Sequence, residues 1–270
     1  MPDKKKASVA KGIAPESRLS GLRKKIADKS KKSKAWKNFF LVLWAIGIAL
    51  WVGAMLFVAQ YVVAFIFVRI VPQEQLQSNA VNSAYQAVTY AVCLALTIFV
   101  PWKLLKAKTS RNEVGLHGLP TWTDILLAPI VFIAVMVAAG AMTALMQAIL
   151  PSIDWEQVQE TGYSGLYQTG EYITAFVCLV VLAPVCEEII FRGWLYGKLR
   201  ARMSVLPAIL ITSLLFGIMH GQWNVGVTVF VMSIGMCLQR ELTGTIWSGM
   251  LLHMIKNGLA FYLLFVAGVQ

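Results

Sequence analysis

Charge is scarce in this chain: only 14% of its 270 residues are Asp, Glu, Lys or Arg, while 58% are hydrophobic. A soluble domain carries about a quarter charged residues, so a water-soluble globular body is excluded. Cysteine is scarce too. Cys93, Cys178, Cys186 and Cys237 all fall in apolar stretches without Cys-x-x-Cys spacing, which argues for small core residues over a disulfide framework or zinc thiolates. The ~10-residue alternating segments of a membrane β-barrel are missing. No internal repeat marks an inverted-repeat transporter, and the His-Glu-x-x-His helix of many zinc proteases is absent.

Long apolar runs are what the chain has. About twenty apolar residues suffice for a helix to cross hydrocarbon, and helices satisfy their own backbone there. Seven candidate spans follow, at roughly 36–68, 84–105, 122–150, 172–198, 205–222, 224–239 and 245–266. The expected fold is therefore all-α, a polytopic transmembrane helical bundle of about seven spans in the lipid bilayer. Residues 36–150 form its N-terminal helices, 151–171 an extracytoplasmic loop, and 172–270 a core built from the last four spans.

The net charge of +11 is concentrated at one end. Residues 1–38 hold thirteen Lys and Arg against Asp3, Glu16 and Asp28. With too few apolar residues to bury a core, residues 1–35 read as a basic, disordered cytoplasmic tail lying near anionic lipid. It has no aromatic interleaving, so nucleic acid is not an expected partner. Lys103, Lys106, Lys108 and Arg111 follow the second span, Lys198, Arg200 and Arg202 the fourth, and Arg240 the sixth; the loop at 151–171 carries only acidic charge. This alternation predicts a cytoplasmic N-terminus and an extracytoplasmic C-terminus.

Ionisable groups inside spans are costly and point to function. They gather in the last four spans: Glu187, Glu188 and Arg192 in the fourth, His220 at the end of the fifth, and His253, Lys256 and Asn257 in the seventh. At ~100° per residue Glu188 and Arg192 share a face, as expected of a structural pair. Glu187 points elsewhere and is free to meet a cavity. Glu187 and His220 lie at similar sequence distances before and after Met203, at the centre of the intervening loop, so an antiparallel hairpin brings them to one depth. His253 and Asn257 are one turn apart. A carboxylate base, an imidazole that positions water and two oxyanion donors suit attack of an activated water on a peptide bond. No serine or cysteine has an adjacent base, which disfavours a covalent nucleophile. Phe216 reads as packing beneath His220, and Asn224 as a helix-end cap.

At these residues the chain resembles the CPBP family of intramembrane proteases, which includes CAAX prenyl endopeptidases and bacteriocin-processing, Abi-like immunity proteins. The motifs are Glu187-Glu188-x-x-x-Arg192, Phe216-x-x-x-His220 and His253-x-x-x-Asn257; Lys256, inside the third, is not part of the family pattern. The resemblance implies a four-helix catalytic core and an endopeptidase in which Glu187 and His220 activate water while His253 and Asn257 stabilise the oxyanion. Family members are often described as metalloproteases, so Glu187, His220 and His253 are also candidate ligands for Zn2+, with a metal-free glutamate mechanism as the alternative. The expected substrate is a membrane-associated peptide or protein tail, and the expected location the plasma membrane. Two competing readings are a catalytically silent immunity or partner-binding member and a proton-coupled transporter.

Overall fold

The computed structural model describes residues 16–106, 108–163 and 165–268. Among them are eight helices and no strand: α1 (Glu16–Ile70), α2 (Asn79–Leu105), α3 (Arg111–Val114), α4 (Trp122–Ile149), α5 (Thr169–Arg200), α6 (Val205–Ile218), α7 (Trp223–Thr243) and α8 (Trp247–Val266). The chain divides into two compact units, one ending at Ile46 and one starting at Gly47.

In the first unit residues 16–46 are helical. This corrects the disordered tail expected over 1–35 for its second half, while residues 1–15 lie outside the described residues. The stretch 16–35 has no proline and one glycine, and is rich in Lys, Arg, Ala and Leu, all good helix formers. Extending a helix already nucleated by an apolar span costs little. Trp36, Phe39 and Phe40 cluster on it with ring centroids about 6 Å apart.

In the second unit α4, α7 and α8 pack on one another, α6 packs on α7, and α5 lies against α2, α6 and α8. Six helices are long and apolar enough to cross a membrane; α6 and the single-turn α3 are not. The expected fifth span at 205–222 is corrected to a helix of 14 residues, roughly 21 Å by helical rise. It stops before His220, which stands in the turn joining α6 to α7. Outward faces carry large apolar side chains, such as Leu126, Ile130, Ile133 and Val137 along α4, the surface that acyl chains would solvate. All four cysteines are free and buried, as expected.

Small residues set the closest approaches. A Cβ on Gly217 would fall 2.8 Å from the Gly226 carbonyl oxygen, so α6 and α7 meet backbone to backbone, as helices do where hydrophobic burial adds little. Gly193 of α5 receives the Val114 side chain of α3, and its Cβ would overlap Val114 Cγ1. Arg240 fixes α3 in that seat by donating to the Glu113 and Val114 carbonyls, both at 2.7 Å. Polar ties join the other helices: Thr245 donates to Asp124 at 2.9 Å, and Gln239 to Ser248 at 2.7 Å.

Helix α5 contains two π turns, Val177–Leu182 and Ile189–Leu195, the irregularity that recurs at functional sites. The first lets Ala183 donate to Cys178. In the same register the Leu179 carbonyl would receive the nitrogen of Pro184, which carries no hydrogen. That carbonyl accepts instead from the Asn257 side chain of α8 at 2.8 Å.

Gly193→Ala is expected to cost about 1–3 kcal/mol through overpacking, and Val114→Ala in the same chain to restore most of the loss. Thermal unfolding in detergent checks this; additive losses in the double variant would show that the two positions do not meet.

Candidate active site

Each half of the motif pair Glu187-Glu188 has its own environment. Glu188 is fully buried, and Arg192 Nη1 donates to its Oε1 at 2.7 Å. The guanidinium lies over the Phe216 ring, 4.1 Å from the centroid, so α6 shields the pair from one side. His253 Nδ1 reaches the same Oε1 at 3.1 Å. A carboxylate oxygen can only accept here, so the imidazole hydrogen sits on Nδ1 and Nε2 is turned away from Glu188. The i,i+4 pair expected from helix geometry is present; its bond to His253 went unread.

Glu187 keeps 17% of its side chain accessible where Glu188 keeps none. It lines a cavity of about 430 Å³ together with His220, His253, Asn257 and Lys256. All four expected catalytic residues thus border one chamber, while Glu188 and Arg192 lie behind its wall. Glu187 Oε2 makes no hydrogen bond within the protein and stands 3.9 Å from His253 Nε2. His220 Nδ1 is 2.8 Å from the Phe216 carbonyl. A carbonyl cannot donate, so His220 too carries hydrogen on Nδ1 and is left with Nε2 to act. The Phe216 ring lies 4.9 Å from His220 and 5.9 Å from His253, packing as expected.

Three features lay beyond the sequence reading. Tyr90 of α2 donates to Glu187 Oε1 at 2.9 Å. The signal for it was available: Asn79, Ser83, Gln86, Tyr90, Cys93 and Thr97 recur at spacings of three and four, a polar stripe along an otherwise apolar span. Asn257 spends one amide hydrogen on Leu179. Asn224 is not the cap of α7; its amide donates to the Gln157 carbonyl at 2.6 Å, holding part of the segment 157–163 that roofs the chamber. The far end of that segment is anchored by Tyr163, whose hydroxyl shares a 2.9 Å hydrogen bond with Ser83 and is pushed up to about 12 by burial.

Metal-binding imidazoles commonly direct one ring nitrogen to a carboxylate or carbonyl and the other to the ion, and both histidines are oriented that way. However, among the described residues no three His, Cys, Asp or Glu side chains are grouped so as to hold a metal ion. The donor set Glu187, His220 and His253 does not fit Zn2+ as it stands.

A carboxylate, two imidazoles and a carboxamide around one chamber, framed by helices of membrane length, define a polar site inside a polytopic membrane protein. Comparison with protein families gives the kind: residues 169–259 match the family described as type II CAAX prenyl endopeptidase Rce1-like, so the C-terminal helical core is a domain of the CPBP/CAAX protease family. The match begins at α5 and includes all three motifs. No curated protein and no solved structure matches the chain.

Arg192→Met is expected to lose about 3–5 kcal/mol of stability by leaving Glu188 buried without its cation. Glu187→Gln, at the chamber wall, should stay within about 0.5 kcal/mol of the parent. Thermal unfolding of both proteins in one detergent decides; equal losses would place the two glutamates in equivalent environments.

Proposed function

We propose that the protein is an intramembrane endopeptidase that hydrolyses a peptide bond of a membrane-associated peptide or protein tail, with Glu187 as general base. The observation that carries this reading is that Glu187 borders one chamber with His220, His253 and Asn257, its Oε2 without a protein hydrogen bond and 3.9 Å from His253 Nε2, in a core whose residues 169–259 match a protease family.

Oε2 takes one proton from the attacking water, whose other O–H stays intact and donates a hydrogen bond to His220 Nε2. The hydroxide oxygen bonds to the scissile carbonyl carbon, and the carbonyl oxygen becomes an oxyanion. The second amide hydrogen of Asn257 is directed to that oxygen, since the first is held by Leu179. His253, held by Glu188 through Nδ1, joins it through Nε2 once that nitrogen has taken a proton from solvent water. The proton held by Glu187 then passes to the departing amine as the carbon–nitrogen bond breaks. Tyr90 holds Oε1 and so aims Oε2 at the water. No step runs through a metal.

The chamber reaches from the middle of α5, at Leu179 to Phe191, to a mouth under the loop before that helix, at 159–162, whereas Lys198, Arg200 and Arg202 stand at the helix's other end. By the distribution of basic loops, the N-terminus is cytoplasmic and the chamber opens toward the extracytoplasmic half of a plasma membrane. The substrate accordingly reaches it from that face or laterally from the bilayer.

Glu187→Gln should reduce cleavage of a lipidated CAAX-type peptide in nanodiscs by about 10²–10⁴-fold, the range of a lost general base; retention of full turnover would end the reading. Tyr90→Phe should lower kcat roughly tenfold with KM unchanged, as expected for a lost hydrogen bond to a charged group. A rise in KM alone would instead make Tyr90 a binding residue. Dialysis against a chelator should leave turnover intact, and activity lost on dialysis and regained with Zn2+ would reverse the metal-free assignment.

A further inference from the structure

Residues 157–162 cross the mouth of the chamber without secondary structure, and Gln159 to Gly162 line it alongside Glu187 and His220. Backbone groups in such a place need partners. Among the described residues none of the main-chain groups of 155–163 bonds another main-chain group. Side-chain carboxamides take their place on both sides. From α2, Asn82 donates to the Gly162 carbonyl at 2.8 Å and Gln86 to the Thr161 carbonyl at 3.2 Å. From the start of α7, Asn224 holds the Gln157 carbonyl at 2.6 Å.

Gln222 makes the informative contact. Its Nε2 donates to the Val158 carbonyl at 3.2 Å, and its Oε1 accepts from the Glu160 N–H at 3.4 Å. A carbonyl and an N–H two residues apart, met by one amide group, is the pattern that a residue of a neighbouring strand makes across a parallel pair. Gln222 therefore acts as one rung of a strand, directed at a main chain and indifferent to its side chains.

We infer that Asn82, Gln86, Gln222 and Asn224 form a clamp for an extended peptide main chain, and that the segment 157–162 holds this place until the substrate's own backbone replaces it. Main-chain pairing of this kind gives affinity without sequence selection. Because side chains alone retain the segment, its release breaks no helix or sheet. The inference deepens the endopeptidase reading and rests on it for the identity of the occupant as a substrate.

The test uses full-length protein in nanodiscs carrying Glu187→Gln, with binding of a fluorescent lipidated CAAX-type peptide as the readout, so that cleavage is not required. In that background Gln222→Ala should weaken binding by roughly tenfold or more, the value of two lost hydrogen bonds. A disulfide between Asn82→Cys and Gly162→Cys, where a Cβ at 162 stands 3.5 Å from Asn82 Cγ, should abolish binding when oxidised and restore it on reduction; Gly162→Cys alone controls for its left-handed backbone, φ +82°. Unchanged or tighter binding by Gln222→Ala, equal binding by the oxidised and reduced tether, or no binding by the Glu187→Gln parent overturns the clamp. Wild-type protein assayed for cleavage beside these keeps the two readings apart: cleavage with no effect of the tether sinks the clamp alone, and peptide binding without cleavage sinks the protease alone.

Discussion

The Glu188 carboxylate is the point on which the rest of the core depends. One oxygen of a fully buried glutamate meets a guanidinium from its own helix and an imidazole from α8, while the aromatic ring of α6 covers the cation. Desolvating a carboxylate costs several kcal/mol unless its partners are fixed, so the three helices are not free to slide past one another. His253 is oriented as a by-product: once Nδ1 is committed to Glu188, Nε2 has only the chamber to face. The adjacent Glu187 is spared that role and borders the chamber, with 17% of its side chain accessible. Two neighbouring residues of one type are thus divided between holding the architecture and meeting the solvent side.

Much of this was legible in the sequence, and the parts that were not share a cause. The long spans, the pairing of Glu188 with Arg192 and the separate direction of Glu187 all follow from rise and rotation along one helix. The common depth of Glu187 and His220 follows from the arms of a hairpin. By contrast, the bond from Tyr90 to Glu187, the turn of His253 toward Glu188 and the hold of Asn257 on Leu179 are contacts between helices whose relative rotation no single-chain periodicity reports. The π turns in α5 add to this, since each changes the phase of the helix within a few residues. The helix over 16–35 has no signal in its own polar composition, because what extends it is the apolar helix that adjoins it. The end of α6 was placed too late because the residues around Met219 are as apolar as those before them.

The matched family domain begins at Thr169, yet the chamber does not. α2 supplies a hydroxyl to Glu187 and two carboxamides to the roof, and α4 backs α7 and α8. The first half of the chain is therefore more than an anchor for the second. A segment cut at 169 would lose one wall of the cavity together with the ties that hold its cover.

The brevity of α6 has a consequence for how an aqueous reaction proceeds among lipids. A helix of about 21 Å falls short of a hydrocarbon layer of about 30 Å, and the polar turn at its end cannot be left against acyl chains. Lipid accommodates such a mismatch by thinning at the protein surface. A dimple in the bilayer beside Gly221 and Gln222 would bring headgroups and the solvent that hydrates them down to the level of His220. The short α6 would then be the conduit through which a buried hydrolytic chamber is supplied with its second reactant.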